Sequence, residues 1–216
     1  MKTYLVIGMG RFGSAVAARL YELGNEVLVV DENEENIQAI ASRVTHAVVG
    51  DARDEAVLRA LGARNFDCAI VAIGGDLAAS ILVTLALKEL GIPAVICKAS
   101  NETFKRALEK VGADRVVIPE REMAVKLAQS LSSSNVLDFI ELSDDFGIAE
   151  VVVPDNWADR SIRELNVRAK YGVTILACQQ PGEKLQVQPG AEDVIRAGAT
   201  VTVLGANERI ARLQKL

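Results

Sequence analysis

The run Gly8-Met9-Gly10-Arg11-Phe12-Gly13 sets three glycines at GxGxxG spacing, directly after an apolar stretch and directly before a helical pattern. Glycines in that order suit a phosphorylated ligand. The first permits a tight turn, the second opens the backbone to a pyrophosphate, and the third lets the helix pack close to the sheet. The free N–H groups and dipole at the helix start then hold the anion. A glycine triplet alone is weak evidence, but here Asp31 ends the next apolar run, 18 residues beyond Gly13. A carboxylate there can accept hydrogen bonds from both ribose hydroxyls, and its charge disfavours the 2′-phosphate of NADP. Arg11, inside the loop, adds a guanidinium able to hold phosphate bidentately. A dinucleotide's pyrophosphate does not need that charge, whereas a triphosphate, or a phosphate offered by a neighbouring subunit, gains from it.

Further apolar runs end in residues suited to the same crevice. "GDARD" sets Asp51 and Ala52 against an adenine edge, and in "IGGD" Gly74 and Gly75 leave room for ligand, with Ile73 beside them. Lys98 and Glu120 follow the next two runs and complete the rim. With Glu32 beside Asp31, the candidate contacts are Gly8, Met9, Gly10, Arg11, Phe12, Gly13, Asp31, Glu32, Asp51, Ala52, Ile73, Gly74 and Lys98.

These residues need a scaffold of alternating elements. Residues 3–118 carry six short β-branched runs, "TYLVIG", "EVLVVD", "HAVVGD", "CAIVAIG", "AVICKA" and "DRVVIP", with helical patterns between them. Phe12, Val16, Leu20 and Leu23 share one helical face, and Ile37, Ile40, Ala41 and Val44 another. Such alternation predicts βαβ units and a Rossmann-like, doubly wound parallel sheet, with ligands at the carboxyl ends of its strands. Residues 120–131 read as one more helix, with Ala124, Leu127, Ala128 and Leu131 as a core stripe and Met123 and Val125 as apolar surface for a second partner. "SSSN" (132–135) breaks the pattern. Beyond it "VLDFIEL", "GIAEVVVP", "GVTILACQ", "EKLQVQP" and "ATVTVLG" are strand-like, with short helices near 159–165 and 207–216. We expect an α/β nucleotide-binding domain over 1–134 and a small α+β domain over 135–216.

Composition narrows the chemistry. The 216 residues are 50% hydrophobic and 25% charged with net charge −5, which lacks the basic stripe of a nucleic-acid binder. Cys68, Cys97 and Cys178 are far apart and read as reduced, buried thiols. The one histidine, His46, leaves no Cys/His metal spacing and is assigned a structural role. The chain enters a strand at once, with no secretory signal expected, and its longest apolar segment, "LAASILVTLAL", has 11 residues against about 20 for a membrane span. A cytosolic chain without direct membrane insertion is expected. A dehydrogenase would need a proton-transfer group near its nicotinamide. The second domain has no histidine, and its acids and bases look scattered. No Walker lysine or GxSxG elbow is present either. Sensing of the nucleotide is the expected role, with an NAD-dependent oxidoreductase as the alternative.

The run from "VIGMGRFGSAVAARLYELGNEVLVVDENEENI" to "HAVVGDARDEAVLRALGARNFDCAIVAIG" resembles the RCK (TrkA-N) domain, including its GRFG loop and the GDA after the third strand. The tail "SIRELNVRAKYGVTILACQQPGEKLQVQPGAEDVIRAGATVTVLGANERIARL" is similar to the TrkA-C domain, with Gly198-Ala199 where that family has GD. One copy of each resembles the single-copy Ktr-type cytoplasmic regulators. The resemblance implies dimers, four of which form an octameric ring under a membrane potassium-transporting subunit, with the chain peripheral to the inner face of the membrane. It implies that ATP and ADP compete for the site and that the ring changes shape between them, gating ion flow; NAD or NADH in their place is the alternative. It assigns Arg11 to the terminal phosphate and Glu120 to Mg2+ or another cation beside it. It also raises cyclic di-AMP between two TrkA-C copies, near Asn166, Arg168 and Ala169.

Overall fold

In the first half of the chain, short β-branched segments alternate with helices that carry one apolar side, and the backbone follows that rhythm. The elements are β1 (Thr3–Ile7), α1 (Arg11–Glu22), β2 (Glu26–Asp31), α2 (Glu34–Ile40), β3 (His46–Val49), α3 (Glu55–Ala60), β4 (Cys68–Val71), α4 (Leu77–Glu89), β5 (Val95–Lys98), α5 (Glu102–Val111), β6 (Arg115–Val117) and α6 (Pro119–Ser132). The computed structural model describes residues 1–132, 136–143 and 145–213, and these divide into two units, Met1–Arg121 and Glu122–Leu216. The break at "SSSN" falls, from Ser133 to Asn135, outside the described residues.

The six strands of the first unit are parallel in the order β3-β2-β1-β4-β5-β6. The order reverses between β1 and β4, and a crevice opens at the carboxyl ends of strands at such a point. Side chains alternate across the sheet. Leu5 and Ile7 of β1 join a core with Leu58, Leu87 and Leu108 on one face. Val6 joins Val27, Val29, Ile37 and Ile40 on the other. Each fully buried Leu or Ile contributes about 1.5–3 kcal/mol. The 11-residue apolar segment is a core helix: Ala79, Val83 and Leu87 of α4 are buried. Its two buried hydroxyls are satisfied inside the helix, Ser80 Oγ donating to the Asp76 carbonyl and Thr84 Oγ1 to that of Ser80. Among the described residues no helix is long and apolar enough to cross a membrane.

Three expectations are corrected. The fully buried residues of α1 are Gly13, Ala17 and Ala18; of the expected face, Phe12 and Leu20 pack half-buried against the same core, Val16 is half-buried and Leu23 is exposed. Small residues take the fully buried positions because the helix lies close against the sheet. Ala41 falls in a 3-10 turn that ends α2 and is exposed, while Ile37, Ile40 and Val44 are buried. Ala124, Leu127, Ala128 and Leu131 of α6 form no core stripe; all four are exposed, as are Met123 and Val125.

The second unit carries β7 (Val136–Glu141), β8 (Phe146–Val152), β9 (Arg160–Ser161), α7 (Ile162–Leu165), α8 (Val167–Tyr171), β10 (Val173–Gln179), β11 (Gln186–Val187), β12 (Val194–Ile195), β13 (Thr200–Ala206) and α9 (Asn207–Leu213). Five strands form an antiparallel sheet ordered β11-β10-β13-β8-β7, and β9 pairs with β12. Its core gathers Trp157, Leu165, Val173, Val201, Val203 and Ile210. α7 falls within the helix expected near 159–165; Asn166, in a left-handed conformation, ends it, and α8 beyond is an additional short helix.

All three cysteines are buried free thiols, and burial pushes each thiol pKa up. Asp114, before β6, accepts from the Val95 amide at 2.7 Å and from Lys88 of α4 at 2.9 Å. The Val95 amide first, then Lys88, holds its carboxyl below the usual carboxylate range.

Two outcomes are expected. An added Cβ on Gly13 would lie 1.9 Å from the Gly8 carbonyl oxygen, so Gly13→Ala forces α1 off β1 and lowers stability by about 1–3 kcal/mol in urea melts. Asp114 stabilises the fold while ionised, and the contribution disappears as pH falls below the usual carboxylate range. The urea-midpoint advantage of wild type over Asp114→Asn is therefore largest near neutrality and closes in acid; a constant advantage contradicts the assignment.

Candidate nucleotide-binding site

The start of α1 differs from that of its neighbours. Asn33, Asp54, Asp76 and Asn101 cap α2, α3, α4 and α5 with side-chain oxygens, whereas Gly10 at the head of α1 offers none. The first amides of α1 are thus left for an external acceptor. A chain of short contacts aims them. Gly8 turns with φ +93°, and its amide donates to the Val30 carbonyl at 2.9 Å. Gly13 abuts the Gly8 carbonyl, and no atom stands within 4 Å of where a Gly10 side chain would begin. Asp31 Oδ2 accepts the Met9 amide, while Oδ1 accepts the Asn33 amide at 2.8 Å and Asn36 Nδ2 at 3.3 Å. Asp31 therefore clamps the glycine loop, a role its position alone did not reveal. With three of about four acceptor positions taken, a ligand presenting two hydroxyls would displace Asn36, the longest contact.

A cavity of about 260 Å³ opens beside this loop. Of the residues proposed from sequence, Gly8, Gly10, Asp31, Glu32, Asp51, Ala52, Ile73 and Gly74 line it. Met9 and Gly13 are buried and Phe12 half-buried, so these three build the loop. Arg11, Lys98 and Glu120 form a separate charged group. Lys98 Nζ lies 2.7 Å from Glu120 Oε1 and 5.9 Å from the centroid of the Phe12 ring. It also comes within 3.3 Å of where a Gly74 side chain would begin, which sets this group against the cavity wall. Lys98 first, with a smaller effect from Arg11, holds the Glu120 carboxyl below the usual range. Among the described residues no three His, Cys, Asp or Glu side chains gather as a metal cage. Glu120, the one acid of this charged group, is paired with Lys98.

Sequence reasoning missed Arg53 and Asp76, which also line the cavity. Arg53 lay within the quoted "GDARD", but an arginine between two acids in a loop reads as solvated surface. Its Nη2 reaches Asp51 Oδ2 at 2.8 Å and Glu32 Oε2 at 3.1 Å, tying the loop after β3 to the end of β2. The Arg53 side chain first, then its amide, holds the Asp51 carboxyl below the usual range. In the second unit, a cavity of about 400 Å³ is lined by Ile162, Arg163, Asn166, Val167, Arg168, Ile175, Pro189 and Ala191. Asn166 and Arg168 thus share one groove, and Ala169 is exposed on α8 outside its lining.

The reversed strand order, the uncapped glycine turn and the carboxylate closing β2 define a Rossmann-type nucleotide-binding module. The chain belongs to the TrkA family: residues 4–119 match the TrkA-N domain and residues 148–216 the TrkA-C domain. It is 47% identical to Ktr system potassium uptake protein A of Bacillus subtilis (strain 168), over 99% of this chain and 96% of that protein. Ktr system potassium uptake protein C of the same organism is 43% identical over the same shares. Among solved structures, the GsuK channel matches the whole chain with a TM-score of 0.71 at 21% identity, and the GsuK channel bound to NAD with 0.67 at 19%. These two show the fold, and this chain spans 39% of the length of each channel chain.

If Asp31 holds the loop, Asp31→Ala frees the Met9 amide. Native-state hydrogen exchange at Met9 should then accelerate at least about tenfold, the equivalent of one lost charge-assisted bond, while β5 amides keep their protection.

Proposed function

We propose that this chain is the nucleotide-sensing regulatory subunit of a potassium uptake system. The observation that carries the reading is the full-length identity with Ktr potassium uptake protein A, in a chain that offers uncapped helix amides at a glycine turn. ATP and ADP compete for the cavity. Asp31 takes the ribose, Asp51 and Ala52 the adenine edge, and the α1 amides the phosphates. Arg11, at the first position of α1, meets the third phosphate, and Glu120 holds a Mg2+ carried on it. The site is assigned to sensing, since the one histidine, His46, begins β3 and so lies at the opposite end of the sheet from the crevice.

Exposed apolar residues on α6 (Met123, Val125, Leu127 and Leu131) and on α4 (Leu82 and Leu85) support assembly of copies into dimers and an octameric ring. The ring docks under the membrane potassium-transporting subunit, which holds this cytoplasmic chain at the inner face of the membrane. Gating requires unequal nucleotide affinity between two ring shapes; a 100-fold difference supplies about 2.7 kcal/mol per site, multiplied over coupled copies. The groove at Asn166 and Arg168 is the proposed place for cyclic di-AMP. A second reading keeps the role but has NAD or NADH as ligand, favoured by Asp31 and by the fold shared with the NAD-bound GsuK channel.

A thermal-shift panel of ATP, ADP, NAD, NADH and cyclic di-AMP, with and without Mg2+, tests this. Adenine nucleotides should raise Tm by mass action. Arg11→Ala should leave the ADP affinity within about twofold and weaken ATP about tenfold or more, the loss of one charge-assisted contact. Equal loss for both overturns the assigned role of Arg11, and a Tm unmoved by every adenine compound overturns the reading.

A further inference from the structure

Arg53 makes an unusually complete set of bonds to one neighbour. Its amide donates to Asp51 Oδ1 at 2.9 Å, and its Nε donates to Oδ1 at 2.8 Å and more weakly to Oδ2 at 3.0 Å. Its Nη2 lies 2.8 Å from Oδ2 and also reaches Glu32. All three side chains are at least 44% exposed. Exposed pairs of that kind add little to stability. What the bonds do fix is direction. Both acceptor positions of Oδ1 are filled by Arg53, Oδ2 keeps capacity for one further donor, and Asp51 lines the cavity. Arg53 Nε and Nη2 are themselves spent on carboxylates, so they do not offer donors to a ligand.

A purine edge distinguishes itself at C6. Adenine carries an amino donor there, and guanine or hypoxanthine a carbonyl acceptor. An acceptor-only carboxylate locked in place pairs with the first and repels the second.

We propose that Arg53 is a positioning residue that makes the cavity select 6-aminopurine over 6-oxopurine nucleotides, by holding Asp51 as a fixed acceptor against the base. The inference rests on the assignment of this cavity to a nucleotide's base, and it adds the source of base selectivity. Asp51 meets the ligand; Arg53 acts through it.

Direct binding of ATP, GTP and ITP by calorimetry, on the full chain, tests it. Wild type should prefer ATP to GTP and ITP by about tenfold or more, the value of one charge-assisted bond plus the avoided repulsion. Arg53→Ala should bring that preference close to one, mostly through weaker ATP binding, and Arg53→Lys should fall between, because a lysine cannot supply the fork. Asp51→Asn is the second arm. Its amide can turn a donor toward a C6 carbonyl, so GTP and ITP should gain on ATP. A role of Arg53 in loop structure alone would weaken all three nucleotides equally, and an unchanged ratio in Arg53→Ala overturns the proposal. So does a wild type that binds ATP, GTP and ITP alike. A wild type that binds none of them overturns the nucleotide reading itself, so the two failures are told apart.

Discussion

Everything at the mouth of the first unit depends on how closely α1 approaches β1. In the first turn of α1, Gly13 touches the Gly8 carbonyl, a distance no side chain allows. That approach places the unspent amides of α1 over the carboxyl ends of β1 and β4, at the reversal of strand order. Asp31 then ties the Met9 amide to the end of β2. The loop is thus held from behind by packing and from the side by a carboxylate, and the anion-binding end of α1 is preorganised.

Charge gives the site a polarity. Asp31, Glu32, Asp51 and Asp76 line the cavity together with one guanidinium, that of Arg53. Arg11 and Lys98 are not part of the cavity's lining; Lys98 stands against Gly74 of the cavity wall, paired to Glu120. A molecule with a neutral, hydroxyl- and amine-bearing half and an anionic half is oriented by such a field before any short contact forms. Of the charges lining the cavity, Arg53 is joined to two acids and so is not available as a free counter-ion.

The parts legible in the sequence are those set by local patterns. The strand rhythm, the glycine turn and the acid at the end of β2 all lie within short windows, and the sheet order follows from crossover rules. The packed faces were harder to read. Periodicity marks large apolar residues, so it chose Phe12, Val16, Leu20 and Leu23, whereas close approach buries Gly13 and Ala17. Periodicity also cannot say which body covers a stripe, and α6 carries its apolar residues in the open. The two-residue strands β9 and β12, and the split at Asn166, are too short for any period to register. In the site, the loop and its acid were readable by type and spacing. Arg53 was not, because its significance comes from a carboxylate two residues away and another at the end of the neighbouring strand β2.

The three buried thiols carry a practical consequence. Cys68 and Cys97 sit inside the parallel sheet, and Cys178 inside the antiparallel one. Burial disfavours the thiolate at each, and the thiolate is the reactive form. Alkylation therefore waits for the backbone around each sulfur to open, so the chain carries its own clocks for opening, with two in one unit and one in the other. Mass mapping of pulse-labelled peptides would read the lifetimes of the two folded units separately, on unaltered protein.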